Sequence, residues 1–222
     1  MLHKETVSPF LYETLVCLMK LDVLKDYRLV GGTALSLMLG HRKSLDIDMF
    51  SPNYIEGGEL KLLLQNYFPR KEIRPTGFGV SIYFPIPGTI KELKADIGCN
   101  EENIRSVILE EGIRIAHIEE IAAMKLEAIT TRQVKKDYWD IAEILAHYTF
   151  KDMTMFYQER YPYNDLRQVI EKITSFEPCE KQDDPECLNG KTWGNVKDTI
   201  NAAFDKYISQ EINENNSQGM SM

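Results

Sequence analysis

The sequence predicts an α+β fold, in which a small mixed β-sheet with flanking helices is followed by a helical C-terminal half. Two observations predict it. Short segments that alternate between apolar and polar residues recur up to about residue 116, and this period is typical of strands. Beyond that point the apolar residues recur at helical spacing. We therefore expect a core at residues 1–116, a helical region packed on it at 117–212, and a disordered tail at 213–222.

Capping and turn residues set the expected limits of the elements. Ser8 before Pro9 predicts the start of a helix, and Gly40 predicts the end of one. The pair Gly31 and Gly32 predicts a break between a strand and the next helix. The expected strands cover residues 27–30, 45–50, 71–74, 79–84, 93–99 and 113–116. The expected helices cover residues 9–20, 33–39, 59–67, 117–131, 136–148, 152–160, 164–175 and 192–209.

Composition limits the class of protein. Of the 222 residues, 43% are hydrophobic and 27% are charged, which is typical of a globular protein. The net charge of −8 argues against a surface that coats duplex nucleic acid. A local basic rim could still form from Arg70, Lys71, Arg74 and Arg132. No apolar run reaches about 18 residues, so we expect a cytoplasmic protein without membrane contact. The four cysteines match no zinc spacing.

Two carboxylates stand one residue apart in a predicted strand. Asp46 and Asp48 alternate with Leu45, Ile47 and Met49, so the acids project from one face and the apolar side chains from the other. Carboxylates about 7 Å apart on one strand face repel each other unless a cation or solvent lies between them. Mg²⁺ binds a few carboxylates together with waters and substrate phosphates. The pair is therefore a candidate metal site, with a solvated strand end as the alternative.

A pair of glycines precedes these acids, separated from Asp46 by thirteen residues. Gly31 and Gly32 would let the backbone approach a ligand closely. The N–H groups that begin the following helix would then bind phosphate, with Thr33 adding a hydroxyl donor. A simple tight turn is the alternative, but a turn does not explain why the next strand carries two acids on one face.

Two further residues complete the candidate site. Asp96 projects from the face opposite its apolar neighbours, which are Leu93, Ala95 and Ile97. It could complete a metal site or accept a proton from an attacking hydroxyl, unless it is simply an acid on an exposed sheet face. Lys125 lies in the middle of an apolar helical stripe, where its burial is costly unless the ammonium meets an anion. We expect it to reach toward phosphate, with snorkelling along the edge of the core as the alternative.

These residues together resemble a known family. The segments LVGGTAL at 29–35 and RKSLDIDMF at 42–50 look like the core motif of the polymerase-beta-like nucleotidyltransferase superfamily, and more narrowly resemble the AbiEii/AbiGii toxin family. The segments AMKLEAITTR at 123–132 and KDYWD at 136–140 are similar to that family's lysine helix, arginine and basic-Asp-x-x-Asp element. The resemblance spans residues 27–147, and its thirteen-residue gap lies at the long end of the superfamily pattern.

The resemblance implies an enzyme that uses Mg²⁺, as two ions, to move a nucleoside monophosphate from an NTP to an acceptor hydroxyl with release of pyrophosphate. It implies that Asp46 and Asp48 bind metal and that Asp96 is the third ligand or the base. Lys125 would meet the triphosphate. Nucleotide-binding or orienting roles would fall to Gly31, Gly32, Thr33, Ser44, Arg132, Asp137 and Asp140.

The resemblance favours a toxin of a toxin–antitoxin or phage-defence pair that modifies the 3′ end of tRNA, with an antitoxin protein encoded nearby as its partner. The basic rim suits such an RNA acceptor. The net acidity instead suits a small-molecule acceptor, as in antibiotic-modifying nucleotidyltransferases. A third alternative is a catalytically inactive binding protein of the same fold, although the presence of all three acids counts against it.

Overall fold

The computed structural model describes residues 1–219, and the chain divides into two compact units, Met1–Ile121 and Ala122–Met222. The strands are β1 (Arg28–Leu29), β2 (Ile47–Ser51), β3 (Glu72–Thr76), β4 (Gly79–Pro85), β5 (Glu92–Cys99), β6 (Ile108–Glu110) and β7 (Ile113–Ile115). The helices are α1 (Pro9–Met19), α2 (Gly31–Leu39), α3 (Gly57–Gln65), α4 (Ile118–Thr131), α5 (Lys135–Ile144), α6 (Phe150–Arg160), α7 (Leu166–Lys172) and α8 (Trp193–Gly219). None of the helices in residues 1–219 combines the length and the apolar composition of a membrane-spanning segment.

The strands form one mixed sheet in the first unit, in the order β3-β4-β5-β2-β1-β7-β6. Strand β2 runs parallel to β5, and β1 runs parallel to β7, while the other neighbouring pairs are antiparallel. Helices α4 to α8 follow the last strand along the chain. The predicted α+β class, with a mixed sheet first and helices afterwards, is confirmed.

The two faces of strands β2 to β5 differ in polarity. One face is apolar and buried, and consists of Ile47, Met49, Ile73, Val80, Ile82, Leu93, Ala95 and Ile97. The other, which we call the open face, carries Asp48, Glu72, Arg74, Ser81, Tyr83, Lys94 and Asp96. Since side chains alternate along a strand, burial of the first set places the second set together on the opposite side.

The helix ends follow the capping residues in the sequence. The Ser8 side chain accepts a hydrogen bond from the Leu11 N–H, and Pro9 is the first residue of α1, as predicted. Gly40 ends α2 in a left-handed conformation with φ of 70°. The start of α2 differs from the prediction, because Gly31 and Gly32 form its first turn instead of preceding it.

Two other segments differ from the expected secondary structure. Strand β6 was not predicted, and it pairs with β7 through a tight hairpin in which Glu111 and Gly112 have φ of 50° and 79°. Two successive positive φ values are typical of the hairpin turn whose sequence signal is usually Asn-Gly or Asp-Gly. Helix α8 runs to Gly219, so residues 213–219 of the expected disordered tail are helical. Residues 220–222 lie outside the described residues.

Candidate active site

Two of the three predicted carboxylates are neighbours on the open face. Strands β2 and β5 pair in parallel with Asp48 opposite Asp96, so the two Cα atoms are about 5 Å apart and both side chains point to the same side. Asp46 lies one residue before the first residue of β2, instead of within the strand as expected. The sequence therefore predicted the shared face of Asp48 and Asp96, and the register places them directly opposite each other on neighbouring strands.

Both oxygens of Asp96 are bound by side chains of the same face. The Ser81 hydroxyl donates to Oδ1 at 2.6 Å, and the Lys94 ammonium donates to Oδ2 at 2.7 Å. The hydrogen bond to Asp96 raises the pKa of Lys94 above its usual value. Sequence reasoning missed both partners. Lys94 could have been found, because it stands two residues before Asp96, but Ser81 depends on the register between β4 and β5.

Gly31 brings the start of α2 against Asp48. Its φ of +69° lies in the left-handed region, and a Cβ atom at this position would stand 2.7 Å from Oδ2 of Asp48. The neighbouring Val30 N–H donates to the Asp48 carbonyl at 2.9 Å. Because the first N–H groups of a helix have no acceptor within the helix, the start of α2 offers donors to an anion beside a carboxylate. Only glycine permits this approach without displacing the Asp48 side chain.

Thr33 and Ser44 connect α2 to the segment that leads into β2. The two hydroxyls are 2.8 Å apart, and the Thr33 hydroxyl also donates to the Asp46 carbonyl. Both side chains are buried, and the Ser44 N–H donates to the Thr6 carbonyl at 2.9 Å. These hydrogen bonds thus connect the start of α2 to the segment that carries Asp46. The phosphate contacts predicted for Thr33, Ser44 and Gly32 stay predictions.

The donor set suits a divalent cation chemically. Carboxylate oxygens are the ligands that Mg²⁺ prefers, and the Lys94 ammonium already places a positive charge on an Asp96 oxygen. Within residues 1–219, no group of three His, Cys, Asp or Glu side chains has the arrangement of a metal site. The metal-binding role of Asp46, Asp48 and Asp96 therefore stays a prediction, supported by ligand chemistry and by the pairing of two of the acids.

The remaining predicted residues form a cluster in the second unit, in which Lys125, Asp137 and Asp140 are buried and Arg132 is exposed. The Lys125 ammonium on α4 contacts Asp137 Oδ1 at 2.8 Å and Asp140 Oδ2 at 2.6 Å, and both acids belong to α5. Arg132 Nε lies 3.1 Å from Asp137 Oδ2. Desolvation opposes the charged form of Asp137, but Lys125 and Arg132 outweigh it and hold the pKa of that carboxyl below its usual value.

This cluster explains how a lysine is tolerated on an apolar helical stripe. The side chain of Lys125 is 6% exposed and the two acids are fully buried, so snorkelling does not describe it. Asp137 and Asp140 stand one helical turn apart, which places both carboxylates on the side of α5 that meets Lys125. The anions that the burial of Lys125 required are therefore these two carboxylates, and its contact with a triphosphate stays a prediction.

Comparison with known proteins identifies the family. The sequence pattern of the nucleotidyl transferase AbiEii toxin family, of type IV toxin–antitoxin systems, matches residues 14–214. The chain belongs to this family. As an AbiEii family member it is a nucleotidyltransferase, and the family as a whole uses NTPs, generally with a divalent metal, and acts with an antitoxin.

Three individual proteins resemble this AbiEii protein at low sequence identity. An uncharacterized protein of Aquifex aeolicus (strain VF5) is 25% identical over 187 residues, which cover 77% of this chain and 83% of that protein. The structure is also similar to MenT4, a nucleotidyltransferase toxin from Mycobacterium tuberculosis H37Rv, with a TM-score of 0.58, 12% identity, and coverage of 88% and 80% of the two chains. JHP933 from Helicobacter pylori gives a TM-score of 0.52 at 21% identity, and the match covers 96% of this chain and 99% of JHP933. At these identities the two structures show a shared fold.

Proposed function

We propose that this AbiEii protein transfers a nucleoside monophosphate from an NTP to the 3′-terminal hydroxyl of a tRNA, and that Mg²⁺ is held by Asp46, Asp48 and Asp96. The observation that carries the proposal is the register of Asp48 against Asp96 beside the start of α2. Acidic oxygens and helix N–H donors then lie side by side, as a metal-bound triphosphate requires.

The side chains divide the chemistry between them. The bound ions would neutralise the triphosphate and stabilise the charge that develops on the oxygens of the transition state. The acceptor oxygen forms a bond to the α-phosphorus, the bond from that phosphorus to the bridging oxygen of pyrophosphate breaks, and Asp96 takes the hydroxyl proton. Gly31 and Gly32 position the N–H groups of α2 toward phosphate. Thr33 and Ser44 fix the approach to Asp46, so most of the catalysis is positioning.

Membership of the AbiEii family supports a proposal for the biological context. We propose that this nucleotidyl transfer arrests growth in the cytoplasm, as the toxin of a toxin–antitoxin or phage-defence pair, and that an antitoxin encoded nearby prevents it. Exposed Arg70 and Arg74 lie on or beside β3, at the edge of the sheet that carries the open face. Their positive charge supports an RNA acceptor despite the acidic chain as a whole.

Labelled transfer tests the proposal directly. We would incubate the full chain with each α-³²P-labelled NTP, Mg²⁺ and total tRNA, and separate the RNA from free nucleotide and from small molecules. We expect label on tRNA with one NTP preferred, no transfer in EDTA, and no detectable transfer by Asp48→Asn. The control is Asp205→Asn, which changes an exposed aspartate on α8 and should transfer at the wild-type rate.

A growth assay tests the proposed toxicity in cells. Expression of the wild type should arrest growth, and Asp46→Ala should relieve the arrest. Label that appears on a small molecule and never on RNA would contradict the tRNA acceptor. Full activity of Asp48→Asn would contradict the metal role.

A further inference from the structure

The open face continues beyond the carboxylates toward the edge of the sheet. Arg74 on β3 pairs with Ser81 on β4, Ser81 pairs with Asp96 on β5, and Asp96 pairs with Asp48 on β2. These four residues form one row across four strands. In the adjacent row, Tyr83 pairs with Lys94. The candidate catalytic acids and the outer residues Arg74 and Tyr83 therefore share one continuous surface.

Arg74 lies over the ring of Tyr83, and we call this pair the Arg74–Tyr83 platform. The guanidinium carbon is 4.6 Å from the ring centroid, within the range of a cation–π contact. The Arg74 side chain is 60% exposed, and Glu72, its ion-pair partner at 2.6 Å, is 50% exposed. Exposed ion pairs are weak and screened, so a phosphate can replace Glu72 while the Tyr83 ring continues to support the guanidinium.

The position of the platform fits a bound acceptor. Neighbouring strands are about 4.8 Å apart, so two strand spacings separate the Cα of Arg74 from that of Asp96 by about 10 Å. Asp96 is the residue proposed to take the proton of the acceptor hydroxyl. A group bound at the platform would therefore adjoin the reacting end of the acceptor.

The chemistry of the platform selects the kind of acceptor. A guanidinium supported by an aromatic ring binds an anion and offers a planar surface on which a nucleobase can stack. The ammonium of Lys94, between the platform and Asp96 on the same face, adds positive charge. The guanidinium and the ammonium offer hydrogen-bond donors that an anion can use and a polycationic small molecule cannot, and the paired bases of a duplex could not reach a flat stacking surface.

We propose that the Arg74–Tyr83 platform is the acceptor subsite of this nucleotidyltransferase and binds the single-stranded end of an RNA, through a backbone phosphate and a stacked base. The subsite rests on the proposed function, since it assigns the acceptor of that reaction. Arg74 holds the phosphate and presents the stacking plane, and Tyr83 holds Arg74 in place.

Equilibrium binding tests the subsite without catalysis. The probe is a fluorescein-labelled 12-nucleotide single-stranded RNA, titrated with the full chain in EDTA and followed by fluorescence anisotropy at several salt concentrations. We expect Tyr83→Leu and Arg74→Lys to raise the Kd roughly five- to a hundredfold, the range of one lost base stack, without changing the salt dependence. Arg74→Gln should also reduce the slope of log K against log salt by about 0.7, the value of one phosphate contact to a single strand.

Matched variants separate a local effect from a general loss of charge or folding. Tyr83→Phe keeps the ring and should bind RNA as the wild type does. Arg167 is 85% exposed and pairs with Asp165 two residues earlier, as Arg74 does with Glu72, so Arg167→Gln is the charge control. Tyr163 is 99% exposed, so Tyr163→Leu is the aromatic control. Neither control should change the Kd or the salt slope.

The outcomes distinguish this proposal from the proposed function. If labelled nucleotide reaches RNA but Tyr83→Leu and Arg74→Gln bind it as tightly as the wild type, the platform is not the subsite. If those variants lose RNA binding while the wild type transfers nucleotide to no RNA, the acceptor in the proposed function is wrong. The platform would then bind RNA without being the acceptor subsite, which overturns this proposal too. Equal binding of the single strand and a blunt duplex, or tighter binding of an aminoglycoside, would overturn the proposal.

Discussion

Lys94 and Lys125 contact aspartates at nearly equal distances but in very different surroundings. On the open face, Lys94 lies 2.7 Å from Asp96, with the two side chains 42% and 32% exposed. In the second unit, Lys125 lies 2.8 Å from Asp137 and 2.6 Å from Asp140, with the three side chains 6%, 0% and 0% exposed. The distances alone suggest the same interaction in both places, but the difference in burial indicates two different interactions.

Burial decides what each contact can do. An exposed ion pair contributes about 0–1 kcal/mol and is screened by salt, so a ligand can replace either partner. A buried pair cannot lose one partner without leaving an uncompensated charge in a medium of low polarity. We therefore interpret Lys94 as an exchangeable cation beside the candidate site, and the Lys125 cluster as a fixed part of the helical unit.

The largest expected effect comes from removing the buried cation. Lys125→Met keeps much of the side-chain volume but leaves Asp137 and Asp140 buried beside each other. Since breaking a buried ion pair typically costs about 3–5 kcal/mol, we expect a loss of that size in the free energy of unfolding, measured by urea denaturation at pH 7. A loss below about 1 kcal/mol would show that the two lysines are equivalent after all.

Gly31→Ala tests the contact between α2 and Asp48. With φ of +69°, an alanine is strained by about 1–2 kcal/mol, and its Cβ would stand 2.7 Å from Asp48 Oδ2. Gly190→Ala is a matched control, because Gly190 has φ of +77° and nothing within 4 Å of an added Cβ. We expect similar losses of stability from both variants in thermal unfolding, but a loss of nucleotidyl transfer only from Gly31→Ala. Equal transfer by both would show that Asp48 need not be held in place.

The open face shows what the sequence could predict. Alternation along β2 and β5 was sufficient to place Asp48 and Asp96 on one polar face, because the apolar neighbours of each must be buried. The pattern could not show which residues face each other across the sheet, since the register between strands depends on the whole core. Ser81 and the Arg74–Tyr83 platform therefore emerged only with the structure.

The helical unit shows a different kind of gap. Periodicity identified Lys125 as an anomaly on an apolar stripe and correctly required an anion near it. It could not decide between a ligand phosphate and a carboxylate of the protein, because the packing of α4 against α5 is not encoded locally. The hairpin before β7 was missed for a simpler reason, as Glu111-Gly112 is an uncommon sequence for that turn.

The acid limb of the stability curve provides a smaller test of the buried cluster. The pKa of Asp137 is lowered on folding, so the unfolded chain binds more protons at this group and stability falls as pH is lowered. The contribution of Asp137 to the free energy of unfolding is complete above its pKa in the unfolded chain, about 3.9. It is lost as pH falls through the lower pKa of the folded chain. The Asp137→Asn variant has no carboxylate to protonate at this position. Its free energy of unfolding should therefore lie below that of the wild type by a constant amount from pH 7 to 5, and the difference should shrink below about pH 4. A difference in the free energy of unfolding that stayed the same at every pH would contradict the lowered pKa of Asp137.

The smallest expected effect is that of the exposed cation, and it completes the comparison. Lys94→Met removes the ammonium from Asp96, but water replaces it, so the free energy of unfolding should change by less than about 1 kcal/mol. The same substitution removes a positive charge that occupies an Asp96 oxygen, and a divalent ion would no longer compete with it. We therefore expect Mg²⁺ to bind more tightly in calorimetric titration without nucleotide, and RNA to bind more weakly. If Lys94→Met destabilised the chain as strongly as Lys125→Met, exposure would not be what separates the two contacts.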